Sequence, residues 1–554
     1  MSNQLKGVPM MRSLISLFAV LSMAQSAVAQ VSPELKAKLS DELKYIASIY
    51  QNHYAPKQWK ETHLGWDLSA ELKKAQAKVQ SAQSVKEYRG ALADLLNSTQ
   101  DYHVGYSFQS TERATLPFQV KTVEGKALLV FIDRTKLSET AFPFQLGDEF
   151  LSMNGVSVAD LQKSIIEYIG SNVPGTDLAL SDLYITRRSA RANAPVPQGP
   201  VLLSFLRAGE ATPVTHQLVW EYQKEMIPGL FSNKAEKKSL SWFQSPKMIS
   251  SKALEFKNLG NNWGVGERKS YLPNLGKRIW ESAKDTEFDA YIYKNEDGKL
   301  IGVVRIPSYY PDDRDKATKD FVAVMKKMDQ LTDGLVIDQL NNPGGSVFYL
   351  YALVSMLTDT SMATPKHRMN IGPADVQEAL TTLDTLAAIK TDEQAIAALG
   401  ETLEGYPNSY QMVVNMRAFS EFIINQWSSG KKLTEPFYVW GVDRINPHPE
   451  VQYTKPVVLL INELDFSGGD FFPTILQDNQ RVTIIGARTA GAGGYVLEAS
   501  FPNSFGLTSL SFTGSLAERV NLKPIENLGV TPDIPLALTV KDLRGNFVDY
   551  LSVV

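Results

Sequence analysis

Two junctions between an apolar strand pattern and a helix pattern carry the residue types that acyl transfer needs. The run Val457–Ile461 enters Asn462-Glu463-Leu464-Asp465-Phe466-Ser467-Gly468-Gly469-Asp470, and a helical pattern starts at once. A hydroxyl at such a junction lies in the positive field of a helix N-terminus, and the N–H of the following Gly468 can face a developing oxyanion. Serine is also a common helix N-cap, so this junction by itself leaves nucleophile and cap both open. The other junction, Asp338-Gln339-Leu340-Asn341-Asn342-Pro343-Gly344-Gly345, follows an apolar strand and precedes a helix. Paired Gly344 and Gly345 leave backbone N–H groups uncovered for an anion, although a plain strand-to-helix turn reads the same way.

Other chemistries are poorly served. The chain has no cysteine, which removes disulfides, thiolate zinc sites and a cysteine nucleophile. There is no His-Glu-x-x-His and no Gly-x-x-x-x-Gly-Lys, and Gly491 to Gly494 has the wrong spacing for a dinucleotide fingerprint, so neither a metal nor a cofactor is expected. Asp465 stands where a Gly-x-Ser-x-Gly esterase turn needs its first glycine.

Taken together, the two junctions resemble those of tail-specific and tricorn-type serine peptidases. In that family an apolar strand ending in Asn-x-x-Gly-Gly is followed, after an insertion, by a strand leading to the nucleophilic serine, then Gln-Asp and Ile-Val-Gly-x-x-Thr-x-Gly. Here the last pieces read Gln477-Asp478 and Ile484-Ile485-Gly486-Ala487-Arg488-Thr489-Ala490-Gly491. The resemblance covers most of 300–535. It implies an α/β fold with a ClpP/crotonase-like catalytic core, and a serine endopeptidase acting on polypeptides through an acyl-enzyme. Ser467 would be the nucleophile, with Gly468 and either Gly344 or Gly345 forming the oxyanion hole.

One departure bears on mechanism. Bacterial tail-specific members carry a lysine base directly after the Thr-x-Gly turn, where this chain has Ala492. Another group must take the serine proton, because a hydroxyl is a poor nucleophile at its free pKa. Histidine suits that role near neutral pH, and the chain has six. The stretch resembles the branch typified by CPAF (protease-like activity factor), which draws its histidine from outside the core. That resemblance implies His103, in Asp101-Tyr102-His103-Val104-Gly105-Tyr106, as the base. It also implies an orienting glutamate after the core, Glu526; the residues themselves leave open a solvated turn glutamate there, with Asp533 or Asp101 in its place. The competing reading is a catalytically inactive, peptidase-like protein that binds peptides through its PDZ-like module.

The elements that must position these residues fall into five stretches. Residues 1–29 read as a secretory signal: Lys6 and Arg12 precede an apolar run over 14–23, and Ala27-Val28-Ala29 gives a small-x-small cleavage site. The run is shorter than the ~20 residues that span a bilayer, so no membrane span is expected after its removal. Export places the mature chain in a periplasm or outside the cell. Over 30–112 the pattern is helical, and this region carries His103. Residues 113–222 have a β-rich texture in which Leu146-Gly147-Asp148-Glu149-Phe150-Leu151-Ser152-Met153-Asn154-Gly155 forms a hairpin signature resembling PDZ domains, followed by a helix over 158–168. Residues 223–285 have no sustained period and read as a linker or processing segment. The core, 286–554, alternates strands and helices around a largely buried sheet, with a mainly helical insertion at about 361–440.

Bulk properties agree. At 554 residues with 44% hydrophobic content the chain can bury several cores. Its 56 basic and 60 acidic residues nearly balance without long runs of either sign, which speaks against a nucleic-acid partner. The CPAF-type resemblance further implies a zymogen that cuts itself, with 223–285 as the place to look, and a homodimer.

Overall fold

The structure, a computed structural model, describes residues 32–226, 247–249 and 264–554. The expected signal (1–29) and much of the irregular segment (227–246 and 250–263) lie outside the described residues.

Near-continuous apolar runs build the central sheet of a mixed α/β fold. Its seven strands lie in the order Trp280–Glu281, Asp289–Lys294, Leu300–Arg305, Gly334–Asp338, Val457–Ile461, Thr483–Gly486 and Ile534–Pro535. The first three pair antiparallel, each with the next, and from Leu300–Arg305 onward the strands pair parallel. Gly334–Asp338 is buried at every position and Val457–Ile461 at all but one, as expected of parallel strands covered on both faces. These two strands are neighbours, with Asp338 beside Leu460. Both glycine-bearing loops therefore leave the same end of the sheet, side by side. Chain from 361 onward supplies the insertion helices Pro373–Leu386, Asp392–Leu399 and Tyr410–Ser428.

Four helices, Pro33–His53, Lys57–Leu64, Leu68–Ser81 and Val85–Asn97, open the chain. Ser32, Asp67 and Ser84 cap three of them with side-chain oxygens. Leu39, Leu43, Ile46 and Tyr50 recur at helical spacing and are buried together with Leu92, Leu96 and Phe512. The chain then forms the strand Gly105–Phe108, which pairs antiparallel with Leu507–Thr513 of the far C-terminal region, Gly105 opposite Ser511. That pairing carries residue 103 to the core.

A third unit is a sheet ordered Phe118–Val123, Lys126–Ile132, Glu149–Met153, Pro200–Leu206 and Val214–Val219. Asn154 and Gly155 take positive φ values of 50° and 79°, which forms the tight turn between Glu149–Met153 and Val156–Ser157. Ser157 then caps the helix Val158–Ile169, and a second helix, Pro174–Ile185, follows. Among the described residues no helix is long and apolar enough to cross a membrane.

Candidate active site

Ser467 stands at the N-terminus of the helix Gly468–Asp478, and its hydroxyl makes no cap bond to that helix. Its partner is the base expected from the other end of the chain: Ser467 Oγ lies 2.8 Å from His103 Nε2. Ser467 has φ 58° and ψ −108°, a conformation that a side-chain-bearing residue holds only at a cost of about 1–3 kcal/mol. Asp470 keeps it there. One oxygen of this buried carboxylate accepts the Ser467 N–H at 2.7 Å and the Ala492 N–H at 3.0 Å. The other accepts the Thr489 hydroxyl at 2.5 Å and the Gly491 N–H at 2.8 Å. The turn holding Ala492, where a lysine base would be sought, is thus bound to the helix that Ser467 begins. Burial pushes the Asp470 carboxyl up to about 6 against these four donors.

His103 is placed by its backbone. Asp101 Oδ1 accepts the His103 N–H at 2.8 Å, while Asp101 Oδ2 accepts the hydroxyls of Tyr54 at 2.8 Å and Thr513 at 2.6 Å. Ser511 donates to the His103 carbonyl at 3.0 Å. Burial pulls the imidazole down to about 4; Asp101 opposes this and the Lys60 ammonium adds to it. The ring is therefore neutral at physiological pH and able to accept a proton. Burial would push the Asp101 carboxyl up, yet Lys60, His103 and its hydrogen bonds outweigh that and hold it below the usual range.

Glu526 lies in this neighbourhood but does not bond to His103. Its carboxylate accepts Lys60 Nζ at 2.5 Å and the Gly493 N–H at 2.9 Å, and among the described residues His103 Nδ1 has no hydrogen-bond partner. Lys60 also donates to Asn527 Oδ1 at 2.9 Å and to the Gln100 carbonyl at 2.7 Å. The lysine has taken the bond expected of the imidazole, and Asp101 is the carboxylate that acts on the ring. The third carboxylate named from sequence, Asp533, accepts Gln477 Nε2 and the Ile484 N–H instead.

Of the glycines expected to bind an oxyanion, Gly344 is committed within its own turn and Gly345 stands opposite Met248 in a two-stranded ladder. Gly344 donates its N–H to Asn342 Oδ1 at 2.9 Å, an Asx-type turn that removes it as a candidate. Gly345 N lies against Gly468, 3.0 Å from where a β-carbon on Gly468 would stand. A β-carbon on Gly345 would lie 1.9 Å from the Tyr309 carbonyl carbon, so this backbone admits only glycine. As the first residue of its helix, Gly468 has no helical carbonyl to receive its N–H. Asp465 joins the two loops: it accepts the N–H groups of Asn342 at 2.8 Å and Asn462 at 2.9 Å, together with Gln339 Nε2 at 3.1 Å.

Part of the irregular segment reaches this site. Lys247–Ile249 forms a strand that pairs antiparallel with Gly344–Ser346, Met248 opposite Gly345. Ser467 and His103 are both 0% exposed. This is a closed arrangement of the site.

Comparison with known proteins identifies the family. A sequence profile described as Peptidase family S41 matches residues 300–536, and one for the PDZ domain matches 112–227. A protein of Chlamydia pneumoniae is 36% identical, over 96% of this chain and 91% of its own. One from Chlamydia trachomatis serovar D is 36% identical, over 98% of this chain and 96% of its own. The crystal structure of mature CPAF has a TM-score of 0.83 at 34% identity, covering 94% of this chain and 96% of that one. Mature CPAF complexed with lactacystin gives 0.82 at 34% identity, covering 94% and 98%.

Proposed function

Given that the chain belongs to peptidase family S41, in the branch that holds CPAF, and is a serine-type peptidase, we propose that it is an exported endopeptidase using Ser467 and His103. The observation that carries this reading is the 2.8 Å contact between Ser467 Oγ and His103 Nε2, made across the length of the chain. With its proton on Nδ1, the neutral ring accepts the Ser467 hydroxyl proton at Nε2 as Oγ attacks a peptide carbonyl. The oxyanion is received by the N–H groups of Gly468 and Gly345. His103 then returns the proton to the leaving amine, and water releases the acyl group by the same steps in reverse. The imidazolium formed on the way is stabilised by the Asp101 charge, while Glu526, paired with Lys60, contributes at a remove. The ClpP/crotonase-like description of the core belongs to the same reading.

Export rests on the Lys6, Arg12 and 14–23 pattern with its Ala27-Val28-Ala29 site, and on the absence of cysteine. Self-processing and dimerisation follow from the CPAF-type resemblance. The strand Lys247–Ile249 supports the former, because it occupies the edge along which an extended substrate would pair. Intact mass separates the cases: wild type should yield a cut in the 223–285 segment that Ser467→Ala lacks, whereas the same fragment from both excludes self-processing.

Cleavage of an unstructured protein by wild type and Ser467→Ala tests the main reading. The variant should lose activity by about 10⁴-fold or more while keeping its fold. A variant that cuts at the wild-type rate would sink the assignment.

A further inference from the structure

PDZ domains take extended peptides along an exposed sheet edge, so the state of that edge decides whether this one has a vacancy. Phe118–Val123 is one edge strand of its sheet. The helix Pro174–Ile185 packs against it and against the helix Val158–Ile169. Within this contact Asp182 is 2% exposed. One Asp182 oxygen accepts the Thr122 backbone N–H at 2.6 Å, and the other accepts the Thr122 hydroxyl at 2.7 Å and Gln162 Nε2 at 2.8 Å. A main-chain donor on the sheet edge is thus bound by a carboxylate of the chain itself. Leu180, Leu183 and Ile185 join Phe118, Val120, Ile165 and Ile169 in one apolar cluster.

The other end of the same helix holds both catalytic loops. Thr176 donates its hydroxyl to the Glu463 carbonyl at 2.8 Å, on the loop leading to Ser467. Tyr102, which precedes His103, donates its hydroxyl to Asp177 at 2.7 Å and accepts the Val173 N–H at 3.0 Å. Its ring meets Phe466, which precedes Ser467, edge to face at 5.4 Å. The residues just before base and nucleophile therefore touch each other, and the first turn of the helix fastens them.

We propose that the PDZ domain of this protein is filled by its own helix Pro174–Ile185 in place of a peptide terminus, and that the helix serves as a strut fixing the base loop against the nucleophile loop. Asp182, Asp177 and Tyr102 are then positioning residues. The second half of this proposal rests on Ser467 and His103 being the reacting pair; the first half stands without it.

Two measurements keep the halves apart. A fluorescein-labelled decapeptide with a free, apolar carboxyl end is titrated by anisotropy to about 100 µM into the full Ser467→Ala chain, which cannot cut it. No binding is expected, and a micromolar affinity overturns the self-filled groove. In the otherwise wild-type enzyme, Asp182→Ala should lower kcat at least about tenfold with KM unchanged, since misplacement of about 1 Å can cost 10²-fold. Asp182→Asn, which keeps an oxygen for Thr122, should restore most of that loss. Should Asp182→Ala fail to fold, Tyr102→Phe takes its place with the same expected loss in kcat. Wild-type kcat in the folded variant overturns the strut.

Discussion

Replacing Asp470 by asparagine should separate the chemistry from the fold. Each oxygen of the carboxylate accepts two donors. An asparagine keeps one oxygen, so two of the four bonds are lost, and leaving two buried donors unpaired costs about 2–6 kcal/mol. Against this, burial has moved the carboxyl from 3.8 to about 6, so holding it ionised at pH 7 already costs the fold about 3 kcal/mol at ~1.4 kcal/mol per tenfold. A neutral amide escapes that cost. The net change is therefore small, from about 1 kcal/mol of gain to about 3 kcal/mol of loss, or a few degrees in a thermal melt. The nucleophile fares worse. Ser467 holds φ 58° with its N–H on this carboxylate, and release of the strain moves Oγ away from His103. A displacement near 1 Å predicts a loss of about 10²-fold in reaction with a fluorophosphonate. The assay pairs the labelling rate with a melt of the same preparation. A folded Asp470→Asn protein that labels at the wild-type rate refutes the claim that this carboxylate holds the nucleophile in its working conformation.

Other outcomes follow from the charges around the base. Because His103 is pulled down to about 4, the acid limb of the labelling rate should fall near pH 4, well below the usual 6.5; a limb at 6.5 contradicts the buried, neutral base. The same depression stabilises the fold above pH 6.5, and that contribution fades as pH drops through 4. Burial and the Asp101 charge push the Glu526 carboxyl up to about 8 against the pull of Lys60, so Lys60→Met should lower stability most as pH rises above 8, where the carboxylate would ionise without its cation, and Lys60→Met combined with Glu526→Gln should remove that pH dependence; an equal loss at pH 6 and pH 9 counts against the pair. Asp101→Asn should slow labelling more than Glu526→Gln does, since Asp101 accepts the His103 N–H and Glu526 makes no bond to the ring; the reverse order returns Glu526 to the role first expected of it.

Much of the site was legible because its parts lie at strand ends. The apolar runs before Gly344-Gly345 and before Ser467 identify neighbouring strands, and a missing lysine at Ala492 directs attention to a histidine elsewhere. Lys60 was not legible. It lies in the polar helix Lys57–Leu64, where a lysine ordinarily reads as solvated, and its partners, Gln100, Glu526 and Asn527, are remote in sequence. Asp470 reads as an ordinary acid in a helix first turn, because its donors include residues up to twenty-two positions away from it. The distinction between Gly344 and Gly345 depends on the side chain of Asn342, which pattern alone does not orient. The short strand Lys247–Ile249 carries no period, since its hydrogen bonds belong to a partner strand remote in sequence. A helix such as Pro174–Ile185, buried on nearly every side, shows no amphipathic stripe to reveal that it fills a neighbouring sheet edge.

The bond between the two ends of the chain is tested most directly by locating a fluorophosphonate adduct by peptide mass spectrometry. Wild type, Ser467→Ala and His103→Gln are compared before and after an incubation that permits self-cleavage. A single adduct on the peptide containing Ser467, absent from Ser467→Ala and formed at least about 10²-fold more slowly in His103→Gln, is the predicted result. An adduct on another residue, or unchanged labelling without the imidazole, contradicts it.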